Sequence, residues 1–386
     1  MNPSDLSFDS KVVKRRYPTS NLEDQLVFIF DSDPNLCMVK NKIAIHFTIE
    51  LDENYVPDNG FAAKQFESLS VEVNSQRVSN TKTKGEYYLS DWLSKVGNFN
   101  NNYIESAFVL EGYFDMYNLE QGSEDQKMQI AKYRRQGRKR GNKYVYEMIF
   151  TPNDAFLNQN LLLPPNSELK LSFERLPAEF SSYFLGKQPQ KGKVFELKDC
   201  YAEAEYVSSR ALRNFGDSIN SEPIGFKYDE TSVYCKVLPI NEKYIRLDNI
   251  VGGNTPNYVF AGIIKTGALN GASNSSCCNF NSIGVKEFAL TLNGNYCHGF
   301  PWKIDPEFPA WPYYKFMSVL GRLNNAESGT QRSPIEFNDS LIFAHKFEGE
   351  ESTKGWLGIT LALQNALTES HTLGCLSLVR LFLILF

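Results

Sequence analysis

Eight basic side chains crowd one short stretch of the chain. Lys127, Lys132, Arg134, Arg135, Arg138, Lys139, Arg140 and Lys143 fall within seventeen residues that hold no acid. Lys and Arg at this density can neutralise phosphates without reading base sequence, with steep salt dependence. They can equally face a neighbouring chain or stand in solvent. Tyr133 is the one aromatic residue among them, so base stacking is not indicated. The stretch lies between two strand-like segments and reads as a loop, with Glu120, Glu124 and Asp125 just before it.

A second segment, Gly299-Phe-Pro-Trp-Lys-Ile-Asp-Pro-Glu-Phe-Pro-Ala-Trp-Pro312, is rich in Pro and aromatic residues and leads into Tyr313-Tyr314. It reads as a rigid loop. Trp302, Trp311, Tyr313 and Tyr314 either cap a core or anchor an intersubunit contact, a role suited to Trp and Tyr. Asp305 and Glu307 flank Pro306, and a solvated turn accounts for them as well as a catalytic carboxylate pair does.

Reaction chemistry is otherwise sparse. The histidines are His46, His298, His345 and His371, and no His-Glu-x-x-His, Gly-x-Ser-x-Gly or phosphate-loop motif occurs. His46 falls on the non-core face of an alternating strand, beside Thr48 and Glu50, as a surface or interface residue. The seven Cys form no metal-type spaced pair, so no metal and no cofactor is expected. An odd Cys count, with no apolar leader at the start, reads as reduced thiols in an intracellular, unsecreted protein. The sequons at Asn274 and Asn338 are then silent. No stretch reaches the roughly 20 apolar residues of a membrane span.

The elements that must carry these residues are mostly strands. At 386 residues and 44.0 kDa the chain suggests two domains. Its 28 Phe and 20 Tyr favour sheet over helix bundle. With 40 Lys plus Arg against 45 Asp plus Glu, the net charge of −5 excludes a globally basic nucleic-acid binder. The segment Ile43-Ala-Ile-His-Phe-Thr-Ile-Glu-Leu51 alternates with period two. Further strands are expected at 26–30, 68–73, 107–117, 144–150, 168–175 and 194–207. In the second half they are expected at 233–238, 258–264, 286–292, 341–347, 356–363 and 376–386. Helical spacing occurs at 87–97 and 313–320.

An internal echo organises these segments. Ser70-Val-Glu-Val-Asn-Ser-Gln-Arg-Val78 and Ala289-Leu-Thr-Leu-Asn-Gly-Asn-Tyr-Cys297 are both strands running into two-residue turns. A Tyr-Tyr pair, Tyr87-Tyr88 or Tyr313-Tyr314, then opens each helix. The alternating segments 167–174 and 355–363 follow in the same order. Three landmarks in one order predict two copies of one β-domain. Each copy has about eight strands and one inserted helix, closed as a sandwich or jelly roll.

On these landmarks residues 22–365 resemble the double jelly-roll major capsid protein of Polinton/Maverick elements and adintoviruses. The resemblance rests on Leu26-Val-Phe-Ile-Phe-Asp31, Val39 to Leu51, Phe66 to Ser79, Tyr87-Tyr88 and Leu161 to Arg175. In the second half it rests on Tyr258-Val-Phe-Ala-Gly-Ile-Ile264, Phe280-Asn281, Phe288 to Gly294 and Tyr313-Tyr314. It implies an all-β fold of two tandem eight-stranded jelly rolls. The expected division is a flexible arm over 1–21, a first jelly roll over 22–215 and a second over 216–386.

It also implies a structural, non-enzymatic protein encoded by a transposable element. Its partners would be two further copies in a pseudo-hexameric trimer, then a shell, a minor (penton) capsid protein and packaged DNA through the basic segment. Its place would be the virion capsid, assembled inside the cell. The end, Leu381-Phe-Leu-Ile-Leu-Phe386, departs from the family in lacking polar alternation and reads as truncated or frame-shifted. Two other readings stay open: a tandem jelly-roll protein that binds or processes carbohydrate in an acid- and Trp-lined cleft, and a non-assembling relic of a capsid gene.

Overall fold

A computed structural model describes residues 10–385 apart from 21, 82–86, 93–107, 113–122, 136, 178–179, 186–194, 209–223, 273–274, 277–279, 281, 306, 322, 324–336, 338–340 and 348–353. At 80, 195, 224, 226–231, 254 and 375–385 it describes the backbone alone.

Among the described residues eight main strands carry the first half, beside short ones at Tyr55–Pro57, Arg138–Arg140, Leu162–Leu163 and Ser182–Phe184: β1 (Ser10–Arg16), β2 (Gln25–Phe30), β3 (Cys37–Asp52), β4 (Phe66–Val73), β5 (Gln76–Asn80), β6 (Lys143–Phe150), β7 (Leu169–Arg175) and β8 (Phe195–Ser208). They form two antiparallel sheets, ordered β1-β8-β3-β6 and β2-β7-β4-β5. The second half has β9 (Ile224–Val237), β10 (Tyr244–Asn254), β11 (Tyr258–Lys265), β12 (Val285–Leu292), β13 (Asn295–Tyr296), β14 (Ile342–Lys346), β15 (Lys354–Leu363) and β16 (His371–Leu385). Their sheets are ordered β9-β16-β11-β14 and β10-β15-β12-β13. Adding eight to every label of the first half reproduces the second. In both, the first strand lies beside the last and the second beside the seventh, which is the order of an eight-stranded jelly roll. Among the described residues no strand of one half pairs with a strand of the other.

The pattern that builds these sheets is visible in β3. Ile43, Ile45, Phe47, Ile49 and Leu51 are buried, while the residues between them are half-exposed. The buried face meets the opposite sheet through aromatic contacts. Phe47 of β3 packs edge-on to Phe66 of β4 at 6.1 Å, and Phe150 of β6 to Phe173 of β7 at the same distance. Burying each such ring contributes roughly 1.5–3 kcal/mol. In the second half Phe288 of β12 stacks on Phe343 of β14, with centroids 3.8 Å apart.

Both predicted hairpins are two-residue turns. Val73 pairs Gln76 across Asn74-Ser75, and Leu292 pairs Asn295 across Asn293-Gly294. All four turn residues have positive φ (49°, 63°, 52° and 83°), the requirement of a type I′ turn, whose twist matches that of the strands. Each half carries its inserted helix between its fifth and sixth strands. These are a helical turn at 87–92 and α2 (Ala310–Val319). The rest of the expected 87–97 helix lies outside the described residues. The first half adds a second helix in that same connection, α1 (Glu124–Arg134).

Two expectations need correction. Residues 10–16 are not a flexible arm but strand β1, held on β8 because its bases meet acids there. Lys11 bonds Glu205 and Arg15 bonds Glu203, each at 2.7 Å. Of the strand expected at 107–117, only 108–112 are described, and Phe108–Glu111 is a 3₁₀ turn. The strand expected at 376–386 is present within β16, whose backbone pairs β9 from Thr372 to Leu385 and β11 from His371 to Leu378.

Candidate functional site

The basic segment is not a loop. Ser123 caps α1: its side-chain oxygen accepts from the Gln126 N–H while the Gln126 side chain accepts from the Ser123 N–H. The chain then turns into a hairpin, Arg138–Arg140 paired with β6. Most of the eight bases are engaged within the molecule. Lys127 bonds Glu124 at 3.0 Å, Lys139 bonds Glu53 at 3.0 Å and Lys143 faces Glu50 at 3.4 Å. Arg135 donates to the Glu53 carbonyl at 2.5 Å. Among the described residues Lys132, Arg138 and Arg140 have no acidic partner.

Arg134 cannot touch a phosphate, because it is 1% exposed. It faces the buried Asp58 carboxylate at 3.6 Å. Asp58 also accepts from Lys64 Nζ and, at 2.5 Å, from Ser276 Oγ. Lys64 is fully buried. Asp58, Lys64 and Arg134 belong to the first jelly roll and Ser276 to the second, so one carboxylate pins the two halves together. The sequence holds no signal for this cluster, since its members lie up to 218 residues apart.

The aromatic segment divides in the same way. Trp302 is 1% exposed and packs on Phe288 at 5.6 Å and on His298 at 4.2 Å, so it is core rather than contact surface. Tyr313 is half-buried against Phe337 at 5.4 Å. Trp311 and Tyr314 remain outside, stacked on each other at 5.7 Å and 41% and 46% exposed. Phe300 and Phe308, which the sequence reading passed over, are exposed in the same connection. The basic and aromatic segments therefore occupy equivalent places: each is the connection from fifth to sixth strand of its jelly roll.

Beneath the aromatic connection lies a half-open cavity of about 710 Å³. His298 and His345 meet there edge to face at 4.4 Å, with Lys315 of α2 and Lys346 of β14 in the same wall. Burial holds both imidazoles down to about 4, aided by the Lys315 charge and, for His345, by His298. Among the described residues the lining holds neither Trp nor carboxylate, unlike the acid- and Trp-lined cleft that the carbohydrate reading expects. His46 stacks on Tyr201 at 4.6 Å with Glu203 3.4 Å away, a surface arrangement. Among the described residues no three His, Cys, Asp or Glu side chains are placed to hold a metal. No described helix is long and apolar enough to cross a membrane.

No family model matches the chain, and no curated protein matches its sequence. Solved structures do match. A chain of the Sputnik virophage particle superposes with a TM-score of 0.65 at 11% identity, over 98% of this chain and 87% of that one. A chain of the PBCV-1 virus capsid gives 0.58 at 9% identity, over 98% and 96%. The Faustovirus major capsid protein gives 0.58 at 6% identity, over 98% and 90%. The chain has the double jelly-roll fold. At such identities the likeness is one of fold, spread over nearly the whole length of both partners.

Proposed function

We propose that this double jelly roll is a major capsid protein that assembles through copies of itself. The observation that carries the reading is the repetition of one eight-strand order twice in a single chain, in a fold like that of viral capsid proteins. Three chains with two like domains each present six similar bodies around a threefold axis, so a trimer tiles a near-hexagonal face. Trp311, Tyr314, Phe300 and Phe308 are the apolar anchors available to a neighbouring copy.

The resemblance of residues 22–365 to the Polinton/Maverick and adintovirus type supports placing the protein among them. A shell of such trimers calls for a minor (penton) protein at its fivefold vertices, and it is assembled inside the cell. No reaction and no cofactor enters this function.

The test is absolute mass by light scattering on a sizing column. The expected species is near three times 44.0 kDa, about 132 kDa, and Trp311→Ala/Tyr314→Ala shifts it toward monomer. A monomer at every loading concentration would sink the proposal. Contact with packaged DNA, if made by the basic connection, falls to Lys132, Arg138 and Arg140. Neutralising these three lowers the salt slope of DNA binding by roughly three, and an unchanged slope removes DNA from the list of partners.

A further inference from the structure

The cavity under the aromatic connection is electrostatically one-sided. Four bases line it, His298, His345, Lys315 and Lys346, and among the described residues no acid does. They come from three elements: the segment after β13, helix α2 and strand β14. Among the described residues neither lysine has an ion pair. Lys315 lies over the Trp311 ring at 5.1 Å and Lys346 over the Tyr258 ring at 5.6 Å. The Nε2 atom of His298 is buried without a hydrogen-bond partner. In a protein whose net charge is −5, four bases in one cavity wall with no described acid beside them are a local exception. The volume of about 710 Å³ lies in the range of small-molecule sites.

We propose that this cavity binds a small oxyanion of the phosphate class, with Lys315 and Lys346 supplying charge and His298 and His345 supplying N–H donors. This site is independent of the capsid reading. A bound anion offsets the Lys315 charge that now opposes protonation of both imidazoles, so binding takes up protons and tightens as pH falls from 7 toward 5. The other titratable side chains in the lining are Tyr296 and Cys297, and the Cys297 thiol, pushed up to about 11 by burial, stays neutral throughout.

The experiment titrates inorganic phosphate, then pyrophosphate, into the full chain at constant ionic strength. Calorimetry in two buffers of different ionisation enthalpy counts the protons, and Trp fluorescence reads the site through Trp302 beside His298. Saturable binding with proton uptake is expected. Lys315→Met, which keeps an unbranched side chain over Trp311, and Lys346→Gln each weaken it about tenfold or more, the cost of one charge-assisted hydrogen bond. Circular dichroism confirms that both variants fold. A short phosphodiester oligonucleotide competing at the same lysines would identify a polymer phosphate as the source of the same chemistry. Non-saturable binding, equal binding by chloride, or affinity unchanged in both lysine variants overturns the proposal. So does phosphate binding seen only when Glu348, Glu350 and Glu351, a short sequence distance from Lys346, are changed to Gln.

Discussion

Asp58→Ala destabilises the folded chain by about 3–5 kcal/mol, the usual consequence of removing one partner from a buried ion pair. Two cations face this carboxylate, Lys64 at 0% and Arg134 at 1% exposure. Each was taken out of water on folding, and that cost stays when the anion goes. The partner side chains separate charge from packing. Ser276→Ala removes the hydroxyl of the other half that donates to Asp58 and accepts from Lys64, and costs less, about 1–3 kcal/mol. Asp58→Leu combined with Lys64→Met removes one buried charge of each sign, so the pair costs less than the two single changes added together. Urea unfolding of these variants and of the single Asp58→Leu and Lys64→Met changes measures all of this. An Asp58→Ala protein within about 0.5 kcal/mol of the original would mean that the two cations are hydrated in solution.

Stability rises by about 2 kcal/mol between pH 7 and pH 9 on account of Lys40 alone. This lysine is fully buried, donates to Gln159 Oε1 at 2.7 Å and lies 3.7 Å from the centroid of the Phe156 ring. Burial lowers it to about 7, only partly offset by the buried Asp154 carboxylate nearby. From pH 7 up to its ordinary value of 10.5, the unfolded chain binds more protons here than the folded one. Raising pH through that window therefore stabilises the fold, and lowering pH loses the gain until the folded group is protonated near pH 7. Above pH 9 the buried thiols Cys37 and Cys200, raised to about 12, act in the opposite sense. They must stay neutral in the fold but ionise when unfolded, so the readable interval is 7 to 9. Lys40→Met flattens the curve over that interval whatever its effect on absolute stability. A slope that survives in this variant would place the titration elsewhere.

Much of the sheet framework was legible because alternation and turn chemistry are local. β3 announces itself by Ile43, Ile45, Phe47, Ile49 and Leu51, and both type I′ turns by Asn-Ser and Asn-Gly. β1 was hidden because Ser-Lys-Val-Val-Lys-Arg-Arg carries no buried stripe and gains its partners, Glu203 and Glu205, from a strand nearly 190 residues away. β10 was missed because a register shift between Leu247 and Val251 breaks its period. α1 reads as polar on all sides, and its capping pair Ser123 and Gln126 was its one local signal. For the candidate sites, the residue types pointed to the right connections but not to their division. Whether Trp302 is core and Trp311 surface, or Arg134 buried and Arg138 exposed, depends on which strand or helix lies across from each. The meeting of His298 with His345 is likewise tertiary, joining the two ends of one long connection.

The position of β16 bears on how the chain is made. It inserts between β9 and β11, both of which leave the ribosome earlier. The first jelly roll can close once β8 has emerged. The second cannot, because from Lys265, the end of β11, to Leu385, the end of β16, synthesis must add a further 120 residues. At roughly 5–20 residues per second that interval is about 6–24 s. Throughout it β9 and β11 keep a strand-wide vacancy between them, shaped for the same segment of any copy translated from the same message. On a polysome the vacancy is contested between a chain's own last strand and that of its leading neighbour.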